Sequence, residues 1–183
     1  MENTLFSLSE GIRRCTACPL WKKRFLAVPG EGPENAKIMF VGEAPGAEED
    51  KQGVPFVGPA GKFLNQLLEK NGIQRKDVFL TGAVKCHPEK NRFPSQEELD
   101  TCRELWLKKQ IEAVNPPLIV ILGAAALSSL LGEKEVGKWR GKIVEKDGRS
   151  YFITYHPSAG RRFPKIRKMM EEDFVMVKKL GKK

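Results

Sequence analysis

The chain has 183 residues, enough for one well-buried domain over 1–183, and no Gly/Ser/Pro-rich linker divides it. Its 32 Lys/Arg against 23 Asp/Glu give a net charge of +9; residues 1–137 carry 18 of each sign, so residues 138–183, with 14 basic and 5 acidic, hold the whole excess, including a basic C-terminal helix and tail at 164–183. A neutral body with a basic end is the electrostatic footprint of a phosphate-backbone binder, with a solubilising or thermophile-like surface as the alternative. No apolar run reaches the roughly 20 residues that span a bilayer, and the opening Met1-Glu-Asn-Thr-Leu-Phe lacks the layout of a secretory signal, so membrane proteins and disulfide scaffolds are set aside. The expected setting is a reducing compartment, the cytoplasm.

Strands and helices alternate along the chain. Lys37 to Val41 reads as a buried strand ending at the turn Gly42-Glu-Ala-Pro-Gly46. Ala60 to Asn71 places Phe63, Leu67 and Leu68 on one helical face, with Gly72 as its stop. Asp77 to Thr81 is a second strand. Ser95-Gln-Glu-Glu98 is a capping box opening a helix with Leu99, Cys102, Leu105 and Trp106 on one stripe, closed by Asn115-Pro116-Pro117. Leu118 to Leu122 is the most apolar strand and is expected at the centre, followed by a small helix through Leu131. Lys142 to Glu145 and Tyr151 to Tyr155 are strands joined by an Asp147-Gly148 turn, and Pro164 opens a last amphipathic helix. The pattern implies an α/β fold, a three-layer α/β/α sandwich around a mostly parallel sheet of about four strands. In such sheets ligands bind at the carboxyl ends of the strands.

All four cysteines fall into one spaced set: Cys15 and Cys18 separated by two residues, then Cys86 and Cys102 separated by fifteen. Structural zinc usually draws on two short pairs, whereas an iron–sulfur cluster tolerates scattered thiolates because each cysteine need reach only one iron corner. Spacing alone leaves zinc, an iron–sulfur cluster and buried inert thiols open. Three further segments lie just past strand ends, namely Gly42 to Gly46, Thr81 to Cys86 and His156-Pro-Ser158, and the strand-end rule predicts that they converge. Each alone reads equally as a turn, a strand terminator or a structural histidine. The chain has no Ser-His-Asp order, Walker-type loop or His-Glu-x-x-His site.

Taken together, Gly42-Glu-Ala-Pro-Gly46 with Glu49-Asp50, Gly53-Val-Pro-Phe-Val-Gly-Pro-Ala-Gly61, Val84-Lys-Cys86 with its gap to Cys102, and His156-Pro-Ser158 resemble the family-four uracil-DNA glycosylases, the iron–sulfur class of that superfamily. The resemblance runs from Cys15 to Ser158. It implies a uracil-DNA glycosylase-like fold and a 4Fe-4S cluster on Cys15, Cys18, Cys86 and Cys102, acting as a structural clamp beside DNA. It also implies base-excision repair: hydrolysis of the N-glycosidic bond of uracil or another deaminated base in DNA. His156 would donate a hydrogen bond to the departing uracil anion and Glu43 would orient water and favour the cationic sugar. Phe56 would stack on the extruded base, Glu49 would sit beside its C5 edge, and the backbone of Gly42, Ala44 and Gly46 would bind the base or a phosphate. Lys85, Arg92, Ser158, Arg161 and Arg162 would contact DNA. No lysine in the matched motifs is placed for Schiff-base chemistry, so a monofunctional enzyme leaving an abasic site is expected. A monomer is the default, and a partner such as a sliding clamp has no signature in the sequence.

Two departures stand out. Four positions before Cys86 the family usually has an asparagine that reads uracil's Watson–Crick edge, and this chain has Gly82. The expectation is a roomier pocket with weaker uracil selectivity, acceptance of another base such as hypoxanthine, or a DNA-binding relative without catalysis. After His156-Pro-Ser158, where relatives often place a leucine wedge, the chain reads Ala159-Gly-Arg-Arg-Phe163; the arginines are read as phosphate contacts, with either of them or Phe163 as the alternative wedge.

Overall fold

Alternate residues of a strand point to opposite faces, and the apolar strands of this chain therefore demand cover on both sides. In the computed structural model, which describes residues 4–182, they receive it. Met1 to Asn3 of the opening segment and Lys183 of the basic tail lie outside the described residues. In chain order the elements are α1 (Leu5–Arg14), β1 (Ile38–Gly42), α2 (Ala47–Gln52), α3 (Pro59–Lys70), β2 (Phe79–Gly82), α4 (Gln96–Cys102), α5 (Lys108–Val114), β3 (Leu118–Leu122), α6 (Ala124–Leu131), α7 (Val136–Trp139), β4 (Ile143–Lys146), β5 (Arg149–Thr154), α8 (Pro157–Arg162) and α9 (Pro164–Leu180). The strand order is β2-β1-β3-β5-β4, parallel except for the antiparallel β4 edge.

The sheet has five strands rather than about four, and β3 is central as its composition predicts. Phe40, Leu80, Val120 and Phe152 face α3 and α9, where the Phe174 ring stacks on Phe40 at 5.8 Å. Met39, Val41, Ile119, Ile121 and Ile153 face α5 and α6. Edge strand β4 is mostly exposed and carries Glu145 and Lys146, charges that discourage pairing with another sheet. Its two-residue connection to β5, Asp147-Gly148, has φ of 51° and 73°, as a tight hairpin requires.

One predicted stripe holds at Leu99, Cys102 and Trp106 and is corrected at Leu105. The capping box at Ser95 and Glu98 forms, but residues Arg103–Leu107 make a π-helical turn between α4 and α5. The extra residue per turn rotates Leu105 out to solvent and brings Leu107 into the core in its place. Trp106 instead packs beside Cys86 and Cys102, and a Cβ on Gly11 of α1 would come within 2.7 Å of its ring.

Candidate active site and cysteine cavity

The carboxyl ends of β1, β2 and β5 open onto a cleft of about 500 Å³, lined among others by Glu43, Phe56, Gly82, His156, Arg161 and Arg162. β1 ends at Gly42, where a Cβ would stand 2.6 Å from the tip of the Phe56 ring, so only glycine lets that ring close on the strand end. Phe56 itself has φ of 53°, a left-handed conformation that costs a non-glycine residue about 1–2 kcal/mol. Gly61 makes room for it, since a Cβ there would lie 1.9 Å from the Phe56 carbonyl oxygen. The ring sits 6.4 Å from the His156 imidazole, tilted by 30°.

His156 follows β5 and caps α8. Its Nδ1 accepts the Ser158 N–H at 3.2 Å and, with that lone pair directed at Ser158, the Ser158 hydroxyl at 2.8 Å. Both donors require the imidazole proton to be on Nε2. Burial holds its pKa down to about 4, so the ring is a neutral N–H donor at physiological pH. Gly123, after β3 with φ of 91°, presses on it: a Cβ there would stand 2.8 Å from the His156 Cβ. Ser158 was expected at DNA from its motif, but its hydroxyl proton is committed to fixing this tautomer.

Glu43 is half-buried, and no donor among the described residues bonds its carboxylate. Burial raises its pKa above the ordinary 4.5. Glu49 differs: Oε1 accepts the N–H groups of Val57 (3.0 Å) and Gly58 (2.8 Å), and Oε2 accepts that of Gly46 (3.1 Å). Its carboxylate thus ties the turn after β1 to the Phe56 loop, and its effect on a bound base would pass through the backbone it holds. Gly42, Ala44 and Gly46 all line the cleft.

Lys85 corrects the sequence reading. It is 2% exposed, donating from Nζ to Thr81 Oγ1 (2.6 Å) and to the Gly82 carbonyl (2.7 Å), so it lies behind the cleft and meets no phosphate. Burial brings its pKa down to about 8, with Cys102 and Cys86 opposing the shift. Gly82 also departs from expectation, because a Cβ there would approach the Val84 carbonyl oxygen to 2.7 Å; the backbone has closed on the space a side chain would need. Arg92 lies at the rim of the cleft, paired through both nitrogens with buried Glu98 at 2.6 and 2.8 Å. Arg161 and Arg162 are exposed at the rim without a partner among the described residues, and Phe163 follows, 55% exposed, at the joint between α8 and α9.

The four cysteines line one further cavity, walled by Leu20, Trp21, Val84 and Trp106. Each sulfur that the sequence nominates meets an N–H group. Trp106 Nε1 donates to Cys15 at 3.2 Å, Arg24 to Cys86 at 3.1 Å, and the backbone amides of Leu20 and Lys85 serve Cys18 and Cys102. Such donors stabilise sulfur anions and tune a metal centre. As free thiols Cys18 and Cys86 are pushed up and Cys102 is pushed up to about 12, chiefly by burial, so these three would need a bound metal to be held as thiolates. Among the described residues no three His, Cys, Asp or Glu side chains gather around a point that one ion would fill. Four thiols that each meet an N–H group are a donor set that a thiolate-ligated metal centre takes.

The cavity and the cleft share a wall. Ala83 N–H donates to the Gly42 carbonyl (2.9 Å), Val84 N–H to that of Glu43 (3.2 Å), and His87 Nδ1–H to that of Pro45 (2.8 Å). Arg24, Trp106, Gly123 and His87 are thus parts of the two sites that the sequence does not mark. Arg24 and Trp106 have no motif spacing to the cysteines they serve, and a glycine after an apolar strand reads as an ordinary turn.

A model of the uracil DNA glycosylase superfamily matches residues 29–176 of this chain. The chain is 45% identical over 181 residues to the type-4 uracil-DNA glycosylase of Saccharolobus solfataricus, covering 93% of this chain and 83% of that one. It is 43% identical over 187 residues to the type-4 uracil-DNA glycosylase of Thermotoga maritima, covering 100% and 97%. Similarity extends, at 34% over 165 residues, to the type-5 uracil-DNA glycosylase of Pyrobaculum aerophilum, covering 80% and 71%.

Proposed function

Because the chain belongs to the uracil-DNA glycosylase superfamily and aligns along most of its length with type-4 members, we propose that it is a DNA-repair hydrolase that removes uracil from DNA and leaves an abasic site. The observation that carries this reading is the convergence of Glu43, Phe56 and the neutral His156 in one cleft at the strand ends. A base inside a duplex is out of reach, so the nucleotide is extruded into the cleft, with Phe56 as its aromatic wall. The C1′–N bond breaks with its electron pair going to the base, and His156 Nε2–H donates to the base oxygen on which negative charge develops. The Glu43 carboxylate faces the cationic sugar and directs water, whose oxygen bonds C1′ while its proton passes to Glu43 and then to solvent. Arg161 and Arg162 at the rim, with the free edge of Arg92, meet phosphates. The step proposed is hydrolysis without a Schiff base, supported by a cleft lining that among the described residues carries arginines and no lysine.

Cys15, Cys18, Cys86 and Cys102 would hold a 4Fe-4S cluster, supported by the four N–H donors around one cavity. The cluster would supply a structural crosslink between the N-terminal segment and the wall of the cleft.

A second reading concerns the base. Gly82 offers the cleft no side-chain amide and its carbonyl is taken by Lys85, so selectivity for uracil over another deaminated base such as hypoxanthine rests on backbone groups and shape. The test is alkaline scission of labelled oligonucleotides bearing one uracil or one hypoxanthine, with Glu43→Gln and His156→Ala as controls. Scission at uracil by the wild type and its loss in both variants support the proposal. Scission only at hypoxanthine moves it to the second reading, and scission at neither overturns both.

A further inference from the structure

Arg75 lies outside every motif and outside the cleft lining, yet its guanidinium makes four hydrogen bonds at the back of the Phe56 loop. Nη2 donates to the Pro55 carbonyl at 2.6 Å and to Glu31 Oε2 at 2.7 Å; Nη1 donates to Asn65 Oδ1 at 3.0 Å and to the Phe56 carbonyl at 3.1 Å. Two of these acceptors are the consecutive carbonyls that bracket the left-handed residue Phe56. The Val57 N–H, in the same peptide group as the Phe56 carbonyl, and the Gly58 N–H go to Glu49 on the other side. The loop is therefore held between a cation that takes its carbonyls and an anion that takes its amides, and the two grips meet on the peptide group that follows Phe56.

We propose that Arg75 is a positioning residue that holds Phe56 in its left-handed conformation and so fixes the aromatic wall of the cleft. The proposal rests on the reading of that cleft as the base site. Phe56 has no reason of its own to adopt φ of 53°, and its neighbours Gly42 and Gly61 permit the conformation without enforcing it. A planar fork can reach both backbone carbonyls while Glu31 and Asn65 orient it, which a lysine ammonium cannot reproduce. Arg75 belongs to the short turn entering β2, so the base wall is braced against the sheet.

The test combines amide hydrogen exchange with single-turnover excision of uracil, for the wild type, Arg75→Met, Arg75→Lys, Phe56→Ala and the Phe56→Ala/Arg75→Met pair. The expected result is faster exchange in Arg75→Met confined to residues 53–58, with an excision rate about 100-fold lower, since small displacements of a positioned group cost about that much. DNA affinity changes little, and Arg75→Lys recovers part of the rate. In the Phe56→Ala background the Arg75 change costs less than about threefold more, because two residues acting through one contact are not additive. Unchanged exchange at 53–58 in Arg75→Met, or in Arg75→Lys if the former does not fold, overturns the proposal, as do losses that multiply in the double variant. A wild-type protein that left uracil in place would count against the proposed activity, while exchange at 53–58 would still decide the role of Arg75.

Discussion

Lys85 Nζ stands 2.7 Å from the carbonyl oxygen of Gly82 and 2.6 Å from Thr81 Oγ1, locking the end of β2 from inside the protein. Removing the amine strands buried acceptors, and Lys85→Met is expected to lower unfolding free energy by about 1–3 kcal/mol. Because Lys85 reaches no phosphate, the slope of log affinity for DNA against log salt should stay unchanged. Arg161→Ala and Arg162→Ala should each reduce that slope by about one unit with little loss of stability. Salt-dependent binding isotherms and denaturant titrations separate the two kinds of cation.

The pH dependence follows from burial at Glu43 and His156. Glu43 must be ionised to direct water, and its pKa lies above 4.5, so the acid limb of the single-turnover rate should fall at a higher pH than for an ordinary glutamate and disappear in Glu43→Gln. His156 titrates near 4 in the fold against 6.5 when unfolded, because burial disfavours its charged form. The unfolded chain takes up this proton first as pH falls. The contribution of His156 to stability is therefore complete above pH 6.5 and is lost as pH drops toward about 4. Thermal midpoints of wild type and His156→Ala, compared from pH 7 to 4, should converge as this contribution is lost.

On the proposed 4Fe-4S ligation the purified protein is expected to be brown, and Cys102→Ala to remove that colour together with iron and acid-labile sulfide. With a loss of about 3 kcal/mol the thermal midpoint drops by roughly 10 °C. Colourless wild-type protein containing stoichiometric zinc would count against the cluster. Substituting Trp106 by Phe removes one N–H donor to Cys15 and should shift the cluster's reduction potential downward while keeping the iron content.

Asp173 on α9 accepts from Thr154 Oγ1 at 2.5 Å and from Arg140 at 2.9 and 3.0 Å, joining the last helix to β5. Asp173→Ala takes away the acceptor of Thr154 and one of the two carboxylates of Arg140, which keeps Glu172 and the Met169 carbonyl, and should cost about 1–3 kcal/mol in denaturant unfolding. Replacing both Asp173 and Arg140 by apolar residues should recover part of that loss.

Much of this architecture is legible in the sequence because period and punctuation agree. The all-apolar run Leu118 to Leu122 is central, Ser95 and Glu98 cap where they should, and Asp147-Gly148 turns the hairpin. Glu43 and His156 meet because each follows a parallel strand whose carboxyl end faces the same way, and Phe56 joins them from the loop between α2 and α3. What escaped the sequence depends on side chains reaching across the chain. The π-turn at Arg103–Leu107 has no periodic mark and displaces Leu105. A lysine beside a metal-type cysteine reads as a surface cation until the fold encloses it, and no spacing rule connects Arg75 with Phe56 nineteen positions earlier.

The three hydrogen bonds from residues 83, 84 and 87 to the carbonyls of 42, 43 and 45 give the cysteine cavity and the base cleft a common partition. The backbone that carries Cys86 is thus also the backbone that seats Glu43: the cleft's carboxylate and the thiol behind it belong to one hydrogen-bonded slab only a peptide group thick.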